Sequence, residues 1–288
     1  MSCPLVSIVT PCWNAERFIE ETVRSVLCQD YPAIEYVVMD GGSTDRTLEI
    51  VARYADRLRY ISGPDGGQSA AINRGFDLTR GEIFAFLNAD DIYLPGAVSS
   101  AVAAFERQPD AAVVYGDATY IDEAGRTIGR YPVEAFTPER LARRCIVCQP
   151  AAFLRRQAFA DVGRLDERLR YALDYDLWIR LSRRYPLVRF DSLVAGARLH
   201  GAAKTVGQMS AAMRDTMAVL RRRYGYVSYN WIYGYSHHLL TGQSLAMETP
   251  GFSPVSAALS FFIGLRYNWR HPLCYCRDIV STAKEGLS

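Results

Sequence analysis

The sequence lacks a large excess of charge of either sign. It has 33 Lys and Arg against 31 Asp and Glu, a formal net charge of +2, and its basic residues come in pairs and one triplet rather than in a long block. Nucleic acid is recognised through dense positive charge, so we expect no nucleic-acid partner. Hydrophobic residues make up 49% of the 288 residues, which is enough to bury a large core.

Three nucleotide-binding or catalytic motifs are also missing. The chain has no GxxxxGK[ST] phosphate loop, no GxGxxG dinucleotide fingerprint and no GxSxG nucleophile elbow. These absences argue against a P-loop NTPase and against a nicotinamide enzyme on a layered α/β fold.

Signals for secretion and for zinc binding are weak. The opening MSCPLVSIVTP enters a strand-like run without the charged and apolar regions of a signal peptide, so we expect a cytoplasmic location. The seven cysteines are odd in number, and the pairs Cys145/Cys148 and Cys274/Cys276 have different spacings and no matching His pattern. We interpret them as reduced thiols rather than as ligands of one zinc site.

Strand and helix signals alternate over the first hundred residues. LVSIV (5–9) is a continuous apolar run, which is typical of a strand buried on both faces. A helical pattern follows from about residue 17 to 28, and further strands are predicted at 34–39, 58–62 and 82–87. This rhythm predicts an α/β fold with a mainly parallel, doubly wound sheet and helices on both faces. Ligands of such sheets bind beyond the carboxyl ends of the strands.

The pattern changes in the second hundred residues. Residues 112–133 resemble a hairpin with a Gly-containing turn. Helices are then predicted near 137–144, 155–161, 174–184 and 207–224, with separate strands near 187–190 and 194–199.

Two neighbouring carboxylates, Asp90 and Asp91, follow the apolar run EIFAFL in the segment LNADDIYLPG. Adjacent acids in a partly desolvated crevice need a compensating cation, or one of them stays protonated. A hard divalent metal, bound through one or two carboxylates and substrate phosphates, would supply that charge. Asp40 lies in a similar place before Gly41-Gly42, where an Asp is most often a turn residue or cap.

Further polar residues follow later strand and helix signals. His200 comes directly after a predicted strand, and Lys204 on the same turn would bring a positive charge to a phosphate. Asp174 and Asp176 begin the helical stretch DYDLWIRL, where carboxylates oppose the helix dipole. Capping does not need both of them, so one is a candidate general base.

The composition shifts after residue 225. From 226 to 265 only Glu248 carries a formal charge, histidines aside, aromatic residues are dense, and basic residues follow directly afterwards. The longest run without a charged residue or a histidine, 249–265, is shorter than the ~20 residues of a membrane-spanning helix. Two interpretations stay open: a segment lying in a membrane interface, or helices packed on the core or on another subunit.

Taken together, these segments resemble the family-2 inverting glycosyltransferases of the GT-A fold. The resemblance is carried by SIVTPCWNAERFIEETVRSVLCQDYPAIEYVVMDGGSTDRT, GPDGGQSAAINRGFDLTRGEIFAFLNADD, LDYDLWIRL and RLHGAAKT, in the expected order from about residue 5 to 205. It implies that a sugar passes from a nucleoside diphosphate sugar to an acceptor hydroxyl, on a saccharide or a lipid-linked molecule, with inversion.

The resemblance also implies roles for individual residues. Asp40 would accept a hydrogen bond from the base, Asp90 would hold the ribose or donor sugar, and Asp174 would be the catalytic base. Asp91 would coordinate Mn2+ or Mg2+ on the diphosphate, and His200 would complete the metal or diphosphate site. Nucleotide contacts would come from Thr10, Pro11, Asn14, Asp65, Gln68 and Arg74.

Two positions depart from the family pattern. Asn88 stands where many relatives have Asp, which removes one negative charge from the cluster, and we expect Asp91 to keep metal binding. Leu173 stands where relatives often have Glu, which leaves Asp174 as the sole base candidate, and whether Asp176 shares the role stays open.

The sequence thus predicts a GT-A domain over 1–224 and a helical C-terminal segment over 225–288 that contacts the cytoplasmic membrane face or a second copy of the chain. Two other functions remain open: a nucleotidyltransferase of similar fold, and a non-catalytic nucleotide-sugar-binding relative. The first would need a glycine-rich, Arg-containing phosphate loop after the first strand, which PCWNAERF is not. The second would not need a base.

Overall fold

The computed structural model of the chain describes residues 3–201, 207–242 and 253–285. The chain forms two compact units, the first of Met1–Phe136 and Ile146–His200, and the second of Thr137–Cys145 and Gly201–Ser288. The second unit therefore begins earlier than the boundary after residue 224 that the sequence predicts. The reason is that the helix before this boundary packs against the helix after it.

One mixed sheet of nine strands forms the centre of the first unit. Strands β1 to β4 are mutually parallel in the order β3-β2-β1-β4, and the sheet continues through β8, β6, β9 and β5, with β7 paired to β6. The strands are β1 Val6–Cys12, β2 Ile34–Asp40, β3 Arg59–Ser62, β4 Ile83–Phe86, β5 Ile92–Tyr93, β6 Val113–Ile121, β7 Thr127–Arg130, β8 Ala152–Arg155 and β9 Leu187–Arg198.

The predicted parallel sheet is confirmed over its first four strands, and the remaining part is mixed. β8 is antiparallel to β4 and β6, and β5 is antiparallel to β9, whereas β6 and β9 are parallel. The hairpin predicted over 112–133 is the antiparallel pair β6–β7. The two strands predicted near 187 and 194 are one strand, β9. Its pairing with β6 shifts register between them but does not end.

Helices cover both faces of the parallel half, as the continuous apolar strands require. Neighbouring side chains of a strand point to opposite faces. Ile8 belongs to a core cluster with Val23 of the first helix, while the next residue, Val9, faces Gly75 on another helix. The helices of this unit are α1 Ile19–Leu27, α2 Thr47–Ala52, α3 Gln68–Asp77, α4 Ala97–Arg107, α6 Arg156–Val162 and α7 Leu173–Ser182.

The second unit is helical in its described residues. A stripe of small residues, Ser256, Ser260 and Gly264, is buried at four-residue spacing, and the ring of Tyr275 packs directly on Gly264. Asp278 accepts hydrogen bonds from the Tyr226 hydroxyl and the Tyr229 amide. The helices are α5 Pro138–Arg143, α8 Met209–Tyr224, α9 Tyr229–Thr241, α10 Pro254–Tyr267 and α11 Pro272–Glu285. Among all helices that the structure describes, none combines the length and hydropathy that crossing a bilayer requires.

Candidate active site

The carboxyl ends of β1, β2 and β3 meet at one edge of the sheet. Cys12 and Asp40 are paired in register at the ends of β1 and β2, and the Gly41 amide donates to the Cys12 carbonyl at 2.9 Å. The Gly63 amide donates to the Asp40 carbonyl at 3.0 Å, which attaches the loop after β3 to the same place. Three loops that are far apart in sequence therefore converge around Asp40.

The Asp40 carboxylate organises the turn that follows β2. It is almost fully buried and accepts hydrogen bonds from the Gly42 amide at 3.1 Å, the Ser43 amide at 3.1 Å and the Ser62 hydroxyl at 2.6 Å. Burial by itself would raise the pKa of Asp40, but these bonds and that of the Ser43 hydroxyl outweigh it and hold the pKa below its usual value. The carboxylate is therefore an ionised, preformed acceptor.

Asp65 lies beside this turn. A Cβ atom on Gly41 would come within 2.9 Å of an Asp65 carboxylate oxygen, so the carboxylate packs directly on the glycine. Its other oxygen accepts the Gly67 amide at 2.7 Å. Gly66 and Gly67 both have positive φ, which lets the loop turn back toward α3. Asp40 and Asp65 thus border one small surface.

The residues predicted at the end of β1 and in the loop after it lie in two different environments. Asn14 has a φ of 48° and its side-chain oxygen accepts the Thr44 amide at 2.9 Å, so it ties the loop after β1 to the turn after Asp40. Pro11 is buried within β1. Thr10 is also buried, and its hydroxyl lies 3.0 Å from the Tyr36 hydroxyl inside the sheet. In this structure Thr10 is a core residue, and Asn14 is the one on the surface.

Asn88 is the centre of a hydrogen-bond network beyond β4. Its side-chain oxygen accepts Gln68 Nε2 at 2.7 Å, and its Nδ2 donates to Asp91 Oδ2 at 3.2 Å and to Gln149 Oε1 at 3.0 Å. The Gln149 amide in turn donates to the Phe86 carbonyl. An ionised aspartate at position 88 could not donate to Asp91. The asparagine, which departs from the family pattern, therefore supplies a hydrogen bond that the more common residue could not. Gln149 was not predicted from the sequence.

The pairing of β5 with β9 brings the acidic pair beside His200. Ile92 pairs with Gly196 in antiparallel register, so the turn before β5 lies next to the end of β9. His200 Nε2 lies 3.0 Å from Asp90 Oδ2, and the imidazole packs against the Phe18 ring with centroids 4.8 Å apart. His200 is almost completely buried at its side chain. It therefore contacts Asp90 directly, while Asp91 has other partners.

Asp91 is buried and lies beside a second carboxyl group, that of Asp90. Its Oδ1 accepts the Arg198 amide at 2.9 Å, in addition to the Asn88 contact at Oδ2. Burial, and next the charge of Asp90, raise the pKa of Asp91 well above its usual value despite these hydrogen bonds. Asp91 is thus a carboxyl group that an added cation would readily convert to its ionised form.

Arg198 holds this region together and was not predicted as a site residue. Its guanidinium is fully buried and donates to the Asp90 carbonyl at 2.7 Å, the Asp122 carbonyl at 2.7 Å and the Glu21 carboxylate at 2.5 Å. It also lies 4.8 Å from the centre of the Phe18 ring. Arg198 is therefore a positioning residue that fixes the backbone of the acidic pair.

The donor set fits a divalent cation that is shared with a phosphate ligand. His200 Nδ1 is buried without a hydrogen-bond partner, and a cation would relieve the repulsion between the adjacent Asp90 and Asp91 carboxyl groups. In the part of the chain that the structure describes, no three His, Cys, Asp or Glu side chains converge on one point. Protein Mg2+ sites commonly use one or two carboxylates, with water and substrate phosphates completing the shell.

The two acids at the start of α7 have different roles. Asp176 is fully buried and accepts Arg180 Nε at 2.8 Å, and the same guanidinium donates to the carbonyls of Val162 at the end of α6 and of the next two residues. Asp174 is partly exposed. Burial raises its pKa, and the backbone amides of Tyr175 and of Asp174 itself offset this only in part. Asp176 is held in a buried ion pair with Arg180, so Asp174 is the acid of the two that a ligand can reach.

The chain segment that leads toward α7 is anchored on α3. The segment before α7 packs on this helix: the Asn73 side chain exchanges two 3.0 Å hydrogen bonds with the backbone of Leu165. The first residue of the same helix, Gln68, donates to Asn88. Arg74 is exposed almost two turns further along α3, and Lys204 lies outside the described residues. The structure therefore joins Gln68 to Asp91 through Asn88 and joins Asp90 to His200, while Asp40, Asn14 and Asp65 surround a separate turn.

Comparison with known proteins identifies the family. The model of the family described as Glycosyl transferase family 2 matches residues 7–163. An uncharacterized glycosyltransferase of Rickettsia felis is 30% identical over 213 residues, 69% of this chain and 35% of the relative. The chondroitin synthase of Escherichia coli is 29% identical over 221 residues, 75% of this chain and 32% of that protein. The chain spans about a third of the length of these two relatives.

Solved structures share the fold. The structure of TarS from S. aureus in complex with UDP-GlcNAc has a TM-score of 0.61 and 20% identity, and the match covers 93% of this chain and 72% of that chain. The mannosyltransferase PcManGT from Pyrobaculum calidifontis in complex with GDP-Man and Mn2+ has a TM-score of 0.58 and 16% identity, over 99% and 76%. At these identities the likeness concerns the GT-A type fold alone.

Proposed function

Because this chain belongs to glycosyl transferase family 2, we propose that it is an inverting glycosyltransferase that moves a sugar from a nucleoside diphosphate sugar to an acceptor hydroxyl. The observation that carries the proposal is the placement of acidic residues beyond neighbouring parallel strands: Asp40 and Asp65 border one turn at the ends of β2 and β3, and the pair Asp90-Asp91 follows β4, with Asp90 3.0 Å from His200. Such an edge is where ligands bind in open α/β sheets.

The nucleotide would bind at the surface bordered by Asp40, Asp65 and Asn14. Asp40 is preformed and ionised, and a base N–H would find a carboxylate there whose position is fixed by backbone amides. The compared structures hold UDP-GlcNAc and GDP-Man, so the bases of both ligands are candidates. Asp90 lies beyond this surface and would take a hydroxyl of the ribose or the donor sugar.

The diphosphate would be held through a divalent metal, Mn2+ or Mg2+, with Asp91 and His200 as its protein ligands. The metal would neutralise the negative charge that develops on the departing diphosphate. Arg198 and Asn88 keep the Asp91 carboxylate in place through its two oxygens. Lys204 and Arg74 are candidate partners of the phosphates.

Asp174 is the proposed base in a single displacement. It would remove the proton of the acceptor hydroxyl as the oxygen attacks the anomeric carbon from the side opposite the diphosphate, which inverts that carbon. A partly exposed position and a raised pKa suit an acid that must meet an incoming acceptor and take up its proton. The fully paired Asp176 does not suit this role.

The acceptor is proposed to be a saccharide or a lipid-linked saccharide in polysaccharide assembly. The support comes from the relatives, which include a chondroitin synthase, the hyaluronan synthase of Pasteurella multocida and an O-antigen biosynthesis protein of Myxococcus xanthus. These names describe those proteins, which are much longer than this chain, and they indicate the class of acceptor to test first.

The test is a panel of UDP-, GDP- and TDP-sugars with saccharide acceptors, in Mn2+, Mg2+ and EDTA. We expect metal-dependent release of nucleoside diphosphate from at least one donor, and a product with inverted anomeric configuration by NMR. Asp91→Asn should lower both the rate and the nucleotide affinity. Asp77→Asn is the matched control, because Asp77 forms an exposed ion pair with Arg164 and has no proposed role in binding or catalysis.

Three outcomes would contradict the proposal. Release of pyrophosphate from a nucleoside triphosphate would indicate a nucleotidyltransferase. Tight nucleotide-sugar binding without turnover on any acceptor would indicate a non-catalytic relative. Full activity in EDTA would show that the reaction needs no metal, and it would contradict the roles of Asp91 and His200 as metal ligands.

A further inference from the structure

The outward faces of α10, α11 and the turn between them expose large apolar side chains. Phe262 is 70% exposed, Trp269 58% and Leu273 74%, and Val255 and Val280 are also more than half exposed. Exposed large hydrophobic residues in the first unit, such as Ile128 and Leu193, are far apart in sequence and on separate strands. Exposed apolar side chains grouped in this way indicate a contact surface.

Helical geometry places these residues opposite the packed sides of their helices. In α10 the buried stripe of Ser256, Ser260 and Gly264 faces the unit's interior, so Val255 and Phe262, seven residues apart, lie together on the other side. Arg266, four residues after Phe262, continues the same face. In α11 the buried Tyr275 marks the inner side, and Leu273, Arg277 and Val280 share the outer one.

The charge on these faces is of one sign. Arg266, Arg270 and Arg277 are exposed among the apolar residues, and the Arg270 guanidinium lies 4.9 Å from the Trp269 ring. Among the described side chains from residue 253 to 282, the only acid is Asp278. It is mostly buried, lies 3.7 Å from Arg143 and accepts two hydrogen bonds within the unit. The outward surface is therefore apolar and cationic.

We propose that this surface, formed by the outward residues of α10, the turn and α11, docks on an anionic lipid bilayer. The apolar side chains would enter the boundary between headgroups and acyl chains, the Trp269 indole would lie at headgroup level, and the arginines would contact lipid phosphates. The arginine stems can lie along apolar surface while their charged ends reach the phosphates. No step of this binding depends on transferase activity.

A second copy of the chain is a poorer partner on electrostatic grounds. A two-fold contact would place the same surface against itself, so exposed arginines would meet exposed arginines. The acid that could compensate them, Asp278, is already used inside the unit. An anionic bilayer supplies the missing negative charge without that repulsion.

The test is co-sedimentation of the full chain with vesicles of phosphatidylcholine alone and of phosphatidylcholine mixed with phosphatidylglycerol. We expect binding to the anionic vesicles, weakened by salt, and little binding to the neutral ones. The triple variant Arg266→Gln, Arg270→Gln, Arg277→Gln should lower the partition coefficient about 100-fold. Phe262→Ser with Leu273→Ser should lower it by at least about 10-fold, through lost apolar insertion.

The double variant Ile128→Ser, Leu193→Ser is the control, because it removes two exposed apolar side chains from the other unit. Circular dichroism and the thermal midpoint check that each variant folds. The proposal is overturned if the wild-type chain stays in the supernatant with anionic vesicles at low salt, or if the control loses as much binding as the Phe262 and Leu273 variant. A dimer in analytical ultracentrifugation that dissociates on Phe262→Ser, without vesicle binding, would assign the surface to self-association.

Discussion

Replacing Asp174 and Asp176 separately by asparagine should have opposite effects on catalysis and stability. Asp174→Asn removes the proposed base, and loss of a positioned base typically lowers the rate by about 10²- to 10⁴-fold. Nucleotide affinity should stay unchanged. Because burial raises the pKa of Asp174 above its unfolded value, the ionised form costs folding free energy at neutral pH, and the neutral amide should leave stability equal or higher.

Asp176→Asn should instead destabilise the protein. Asp176 is fully buried and paired at 2.8 Å with a guanidinium that is itself mostly buried, and removing one member of such a pair costs about 3–5 kcal/mol. Arg180 keeps its hydrogen bonds to the carbonyls of Val162, Gly163 and Arg164. We therefore expect the lower end, a decrease of ~3 kcal/mol in the free energy of unfolding.

The assay combines urea unfolding, followed by tryptophan fluorescence, with turnover measured well below each variant's thermal midpoint. Turnover is then compared per folded molecule. The reasoning is refuted if Asp174→Asn keeps near wild-type turnover, or if Asp176→Asn unfolds like the wild type while losing as much turnover as Asp174→Asn. In the second case Asp176 would be the base, and its ion pair with Arg180 would have to open in the complex.

Three further predictions concern the pH profile and the donor side. The rate needs ionised Asp174, whose pKa is raised above 3.8, so kcat/KM should fall as pH decreases with a midpoint above that value; a pH–rate series that stays flat to about pH 4 would contradict this. Gly41→Ala would place a Cβ 2.9 Å from an Asp65 carboxylate oxygen, so calorimetry should show weaker nucleotide binding with little change in the rate at saturating donor. Asn88→Asp would put a third carboxylate beside Asp91 in place of a donor, so the thermal midpoint should drop in EDTA and recover with Mn2+; an equal midpoint in both would speak against a cation there.

Local sequence pattern was sufficient for the first half of the sheet. Continuous apolar runs such as LVSIV are typical of strands buried on both faces of a covered parallel sheet, and the polar residues after each run mark the carboxyl edge. The strands of the mixed half of the sheet were harder to predict from the sequence. β5 has two residues and its partner β9 is a single strand interrupted by irregular pairing, so neither leaves a clear period in the sequence.

The residues that the sequence missed act through distant contacts. Arg198 looks like an ordinary basic residue in RLHGAAKT, yet its partners are Glu21, Asp90 and Asp122, which come from three other segments. Gln149 likewise reaches Asn88 across 61 positions of the chain. No local pattern of hydrophobicity encodes such pairs. The boundary of the second unit was missed for a related reason, since the helical period of α8 does not tell which neighbour it packs against.

Strand β9 also determines which kinds of sequence change the protein can accept. The pairing with β6 is irregular between Arg189 and Ala195 and regular again from Ala195 to Arg198. Since strand side chains alternate between faces, losing or gaining one residue after that irregularity would turn the Arg198 guanidinium to the opposite face. This stretch should therefore accept hardly any change of length, and a deletion scan would show it as a sharp minimum of folded protein.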